Sequence, residues 1–262
     1  MKKTVRKLLK WILRIFLLFL IFVAFYILIL AYPKPLFANK LTHNNYTVYS
    51  DEEIPTTFTE ILKDVENRLK VLEIYDSTLT PNIFICNSKN LYGFFVTLVG
   101  LTKNSQGFNI SLFGNAFIQI PRVEYINRYH DKRLKYTHLT GNIEHVISHE
   151  LVHILDTKYY GFWNSKYRPV WKAEGYCEYG STIALIRKDS TNNLYKRASH
   201  YFEHDLYGAS NHSKIYYRAQ LMVEYLFEKK NYTIDMLADT NTKGDNVFKE
   251  LKQWYFSNNH EY

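Results

Sequence analysis

The chain has 262 residues, 47% hydrophobic and 22% charged, with 33 Lys+Arg against 25 Asp+Glu for a formal net charge of +8. That composition excludes a disordered chain, and the presence of only two cysteines, Cys86 and Cys177, excludes a disulfide-built scaffold. No acid precedes Asp51, whereas Lys2, Lys3, Arg6, Lys7, Lys10, Arg14, Lys34 and Lys40 do, so the surplus is N-terminal, the 51–262 body is electroneutral, and a basic nucleic-acid-binding domain is excluded.

Residues 15–32, IFLLFLIFVAFYILILAY, are uncharged and mostly apolar. As a helix they span about 27 Å at ~1.5 Å per residue, close to a hydrocarbon core. Trp11, Tyr26 and Tyr32 suit the interfaces, and Arg14 can snorkel outward. The charges of Lys2–Lys10 put the N-terminus in the cytoplasm and the body outside it. The apolar run is longer than a signal-peptide core of ~7–15 residues and no A-x-A site follows, which favours an uncleaved signal anchor over a cleaved signal peptide. Domain boundaries then read 1–32 for the basic tail and transmembrane anchor, 33–50 for a stalk with Pro33 and Pro35, and 51–262 for the body.

Within the body, Phe58, Ile61, Leu62, Val65, Leu69 and Leu72 form a helical stripe over 56–73. Pro81–Cys86 reads as a short buried strand, and 88–98 as a helix entered through Ser88. Phe108–Phe113 and Ala116–Ile120 flank Gly114-Asn115, a hairpin signal, and Pro121 ends the second strand. Asn142 can cap a helix carrying Ile143, Val146, Ile147, Leu151, Ile154 and Leu155. Further helices are expected over 171–187, 214–229 and 245–257. A small sheet followed by helices makes the fold class α+β.

The sharpest chemical feature is His149-Glu150-Leu151-Val152-His153, an HExxH pattern on that helix. Spaced i and i+4, His149 and His153 share a face one turn apart, so two imidazoles can hold one cation. Glu150 can reach water beside that cation. A zinc site needs a third protein ligand. The spacing of the metzincin pattern falls on Asp156 and Tyr159, so that pattern fails.

Downstream stands Trp171-Lys172-Ala173-Glu174-Gly175-Tyr176-Cys177-Glu178-Tyr179. With HExxH it resembles the gluzincin metallopeptidases, the thermolysin-like and aminopeptidase N-like group. The likeness covers roughly 80–230 and is specific over 143–179, with Cys177 departing from the usual Ala. It implies a zincin-like domain, one Zn²⁺ held by His149, His153 and Glu174, and Glu150 as general base. It also implies Glu178 as the acid that orients His149, against a plain surface carboxylate. For the oxyanion donor it points to Tyr216, then Tyr217, with His200, His204 and His212 as competitors. By the same resemblance Ala116–Ile120 is either a substrate-pairing strand or an ordinary core strand. His145 stays outside the ligand set, and a Cys86–Cys177 disulfide is possible outside the cytoplasm.

The function expected is a membrane-anchored zinc metallopeptidase acting on a peptide or protein substrate by attack of zinc-activated water. The alternatives are a non-catalytic binding or scaffold module, which a fourth protein ligand such as His145 or Asp156 would favour, and a metal hydrolase of non-peptide amides. The G-x-M-E-N motif of aminopeptidases is absent.

Overall fold

Period-2 alternation along three central strands decides which face of the sheet each side chain enters. In β3 (Asn82–Cys86), Ile83 and Ile85 face one side, Phe84 and Cys86 the other. In β5 (Asn115–Gln119), Ala116 and Ile118 join the isoleucines while Phe117 joins Phe84. These facts come from a computed structural model that describes residues 2–101, 105–120, 143–189, 192–203 and 211–258. The expected Asn142 cap and Pro121 stop lie outside the described residues.

Three further strands complete the sheet: β1 (Asn39–His43), β2 (Tyr46–Ser50) and β4 (Gly107–Ile110). The order is β1-β2-β3-β5-β4, with β2, β3 and β5 parallel and both outer strands antiparallel to their neighbours. The expected 33–50 stalk is therefore corrected: most of it is two strands of the sheet. The available signal was Asn44-Asn45 between two strand-like runs, and Asn44 takes the left-handed conformation (φ 50°) that a tight hairpin turn requires. Ala116–Ile120 is likewise a core strand, since β5 is paired on both edges and cannot add a substrate strand. The Gly114-Asn115 hairpin is present, with a 3-10 turn at Ser111–Phe113 between β4 and β5.

One face of the sheet packs on α2 (Phe58–Leu69) and α4 (Ile143–Tyr160), with α6 (Val170–Ile186) and α8 (Asn211–Lys230) beyond them. The other face carries α3 (Lys89–Leu98) and the end of α1 (Lys2–Ala31) over an aromatic layer. Ring centroids in that layer stack across adjacent strands, 4.9 Å for Phe84–Phe117 and 4.7 Å for Phe117–Phe108. As expected, Ser88 caps α3, its hydroxyl accepting from the Leu91 N–H. Helices α5 (Phe162–Tyr167), α7 (Leu194–Glu203) and α9 (Ile234–Leu237) are additions to the expected set, and α10 (Gly244–Ser257) matches it. The architecture is α+β, as expected. Cys86 and Cys177 are both free and belong to the cores on opposite faces of the sheet, so they do not pair.

Candidate metal centre

Helix α4 is buried on nearly every face from Ile143 through Asp156, because β4, β5, α2, α5 and α6 all pack against it. Polar groups on such a helix must find partners inside the protein. The His149 and His153 rings stand 5.1 Å apart on one face. Helix α6 brings Glu174 to them: its Oε2 lies 3.2 Å from His149 Nε2 and 3.6 Å from His153 Nε2. Donor atoms arranged tetrahedrally at about 2.0–2.2 Å from one ion lie about 3.3–3.5 Å from each other. The two separations bracket that range, and the donor set of two imidazoles and a carboxylate suits zinc chemically. The centre opens on the His153 and Glu174 side, whose side chains are 20% and 23% exposed against 10% for His149.

Behind His149 lies a second carboxylate. Glu178, one turn along α6 from Glu174, places Oε1 3.1 Å from His149 Nδ1, at hydrogen-bond distance but out of hydrogen-bond alignment. Its Oε2 lies 3.2 Å from His145 Nε2, and His145 Nδ1 is 3.1 Å from the Ser181 hydroxyl. Burial alone would raise the Glu178 pKa, but the charge of His145 first, with its close contact and that of His149, outweighs it and holds the carboxyl well below its usual range. Glu174 is held low in the same way, burial being outweighed by His153 and His149. Reciprocally, burial would lower the His149 pKa, yet Glu174 and Glu178 raise it well above the imidazole value in the metal-free protein.

Glu150 has its own support, which motif reasoning did not reveal. The Asn109 amide of β4 donates to Glu150 Oε2 at 2.8 Å. The Ser111 hydroxyl bonds Asn109 Oδ1 and stands 3.3 Å from the His153 carbonyl oxygen, which fixes the way the amide points. Strand β4 can approach this closely because position 107 is glycine. A Cβ there would sit 2.9 Å from Val146 Cγ1 and 3.0 Å from Glu150 Oε1. No local pattern around Asn109 signals this role; the contact spans 41 residues of chain.

Tyr216 comes to the site, its ring 6.1 Å from that of His149 and its hydroxyl bonded to Glu174. Burial, then the charges of Glu174 and Glu150, push its pKa far up, so the hydroxyl keeps its proton. Tyr217 turns away and donates to the Arg197 carbonyl. His200 lies on α7, His204 lies outside the described residues, and of His212 only its place in α8 is described. Asp156 is engaged by the buried Arg168, and His145 by Glu178 and Ser181, so neither closes the metal site as a fourth ligand. Cys177 is a nearer competitor. Its Sγ and one ring nitrogen from each of His149 and His153 all lie within 4.8 Å of one another, and His145, His149 and Glu178 form a similar group. Burial raises the Cys177 thiol well above its usual pKa, so without a metal it is a neutral, apolar side chain. These buried groups can hold a metal ion. No known family model matches the chain, and no curated protein matches it at a significant level.

Proposed function

We propose that this protein is a zinc-dependent metallopeptidase of gluzincin type, anchored in a membrane by α1. The observation that carries the reading is the placing of Glu150. A carboxylate held by Asn109 follows His149 on a helix whose two imidazoles both place Nε2 against Glu174 Oε2. A purely structural metal site has no use for such a group.

His149, His153 and Glu174 would hold the ion, and Glu178 would keep the Nδ1 proton of His149 so that Nε2 is the ligand atom. Bound there, zinc supplies Lewis acidity that acidifies water and polarises a carbonyl. Glu150 accepts the proton of the attacking water at Oε1, the oxygen Asn109 does not hold, and returns it to the leaving amine. The protonated Tyr216 hydroxyl donates toward negative charge developing on the carbonyl oxygen. Zinc content and peptide cleavage of the wild type and of Glu150→Gln test the reading. Zinc is expected in both and cleavage to fall by about 10²–10⁴ in the variant. A wild type without zinc, or a variant that cleaves as fast, refutes it.

A second reading has one observation in its favour, the Cys177 thiol close to both histidines. With that thiol as a fourth ligand the site would be closed and structural, and the domain a binding or scaffold module. Cys177→Ala separates the two. A catalytic site keeps its zinc and its activity, while a closed site loses zinc.

A further inference from the structure

The first membrane-facing element of this protein is α1, which is long and apolar enough to cross a bilayer. Its exposure along the chain is uneven. Residues 6–22 are all exposed, whereas Val23, Tyr26, Ile29 and Leu30, at the spacing of one helix face, are not, and Tyr26, Ile29 and Leu30 pack on the body. The two lengths do not fit a body that stands clear of the membrane. Ile15–Phe22, between Arg14 and the first residue that is not exposed, is about 12 Å of helix at ~1.5 Å per residue. A hydrocarbon core is about 30 Å thick and takes about 20 residues. Moving the start back to gain the missing length would draw Arg14, Lys10, Lys7 and Arg6 into hydrocarbon, where charged side chains are strongly disfavoured. The crossing must therefore use Val23–Leu30, and whatever packs beside those residues lies at membrane depth.

What packs there is the C-terminal end of α3. The Tyr26 hydroxyl donates to the Leu98 carbonyl at 2.9 Å, and Leu91, Leu98 and Val99 share the aromatic core with Tyr26 and Ile29. The sequence holds no charge between Lys89 and Lys103. Phe94 and Leu101 are nevertheless 42% and 50% exposed. The backbone is as dry as the side chains. A helix leaves its last four carbonyls without helical partners, which water normally satisfies. In α3 the Phe95, Val96 and Thr97 carbonyls accept from the Val99, Leu101 and Gly100 N–H groups, and Leu98 accepts from Tyr26. Internal pairing of these four carbonyls is what immersion of the helix end in lipid requires.

We propose that the end of α3, with Phe94, Leu98 and Leu101, is a second membrane contact, sunk into the outer leaflet beside α1. The partner is the lipid bilayer. The proposal rests on α1 spanning that bilayer and is independent of the metal site. Its consequence is a body held at fixed depth and orientation, not swinging on a tether. Asn115 of β5 reinforces this by donating to the Leu30 carbonyl at 2.9 Å, so the sheet itself grips the end of the anchor.

The test uses the full chain in phosphatidylcholine nanodiscs, with a nitroxide on Phe94→Cys or Leu101→Cys. The reference positions are Leu20→Cys in the middle of α1 and Phe256→Cys on α10, both exposed in the fold. Cys86 and Cys177 are fully buried and escape labelling. Collision with oxygen and with a nickel chelate is read at each site. Positions 94 and 101 are expected to match 20, rich in oxygen and several-fold poorer in nickel than 256. Positions 94 and 101 as wet as 256, with 20 in lipid, overturn the proposal and leave the body clear of the membrane. Occlusion from both reagents overturns it in favour of a protein covering that face. A wet position 20 overturns it by removing the transmembrane helix, and the zinc assays above are unaffected by that result.

Discussion

Gly175 lies next to the proposed ligand Glu174 where α6 meets α8, and its replacement by alanine is a direct probe of how Glu174 is placed. A Cβ at 175 would stand 2.4 Å from the Ala219 carbonyl oxygen, 2.7 Å from its carbon and 2.9 Å from Val223 Cγ2. Contacts below 3.0 Å do not persist, so α6 and α8 would have to separate by about 0.6 Å to bring 2.4 Å to that limit. Gly180 on the same helix is the internal control. There a Cβ meets side-chain tips, Val152 Cγ2 at 2.9 Å and Leu72 Cδ1 at 3.1 Å, which can give way. Both replacements gain up to about 1 kcal/mol of helix propensity, so the difference between them isolates the backbone clash. Overpacking against backbone costs about 1–3 kcal/mol, which places Gly175→Ala about 2 kcal/mol below Gly180→Ala. For a domain of this size that is a Tm lower by about 4–8 °C, read by thermal unfolding in detergent solution. Equal Tm values, or a stabilised Gly175→Ala, would refute the close approach of α6 to α8 and with it the positioning of Glu174 opposite Tyr216.

Three further outcomes follow from the site. Glu178→Ala leaves His145 and His149 without their shared carboxylate, and zinc affinity measured by chelator competition is expected to fall about 10–100-fold. Unchanged affinity would show that Glu178 does not act through His149. Zinc uptake near pH 7 is expected to release a proton, because Glu174 and Glu178 hold His149 protonated in the metal-free protein and only a neutral imidazole binds the ion. The sign is that affinity rises with pH until the solution passes the raised His149 pKa, then levels. Titration calorimetry in two buffers of different ionisation enthalpy reads the proton, and identical heats would contradict it. Asn109→Ala frees the Glu150 carboxylate to rotate, and kcat is expected to drop about 10–100-fold with zinc affinity unchanged. A matching loss of zinc would mean that Asn109 supports the fold of the centre and not the base.

Much of this protein is legible along the chain because its determinants are local. Helical periodicity puts His149 and His153 on one face whatever surrounds them. Alternation puts Ile83 and Ile85 opposite Phe84 and Cys86, and charge asymmetry marks α1 as the element suited to a membrane. Even the approach of Glu174 is readable as a spacing once the motif is set beside known metallopeptidases. The tertiary structure decided what depends on distant partners. Residues 39–50 form strands only because β1 pairs with β2 and β2 with β3, and taken alone they look like a polar stalk. Asn109 and Ser111 acquire a role only when β4 lies against α4 across the glycine at 107. His145 becomes a partner of Glu178 instead of a bystander, and Cys177 a neighbour of both His149 and His153. The setting of α1 follows the same logic: hydropathy shows a helix long and apolar enough to cross a bilayer, but only the packing of Tyr26, Ile29 and Leu30 shows that its end lies against the body and α3.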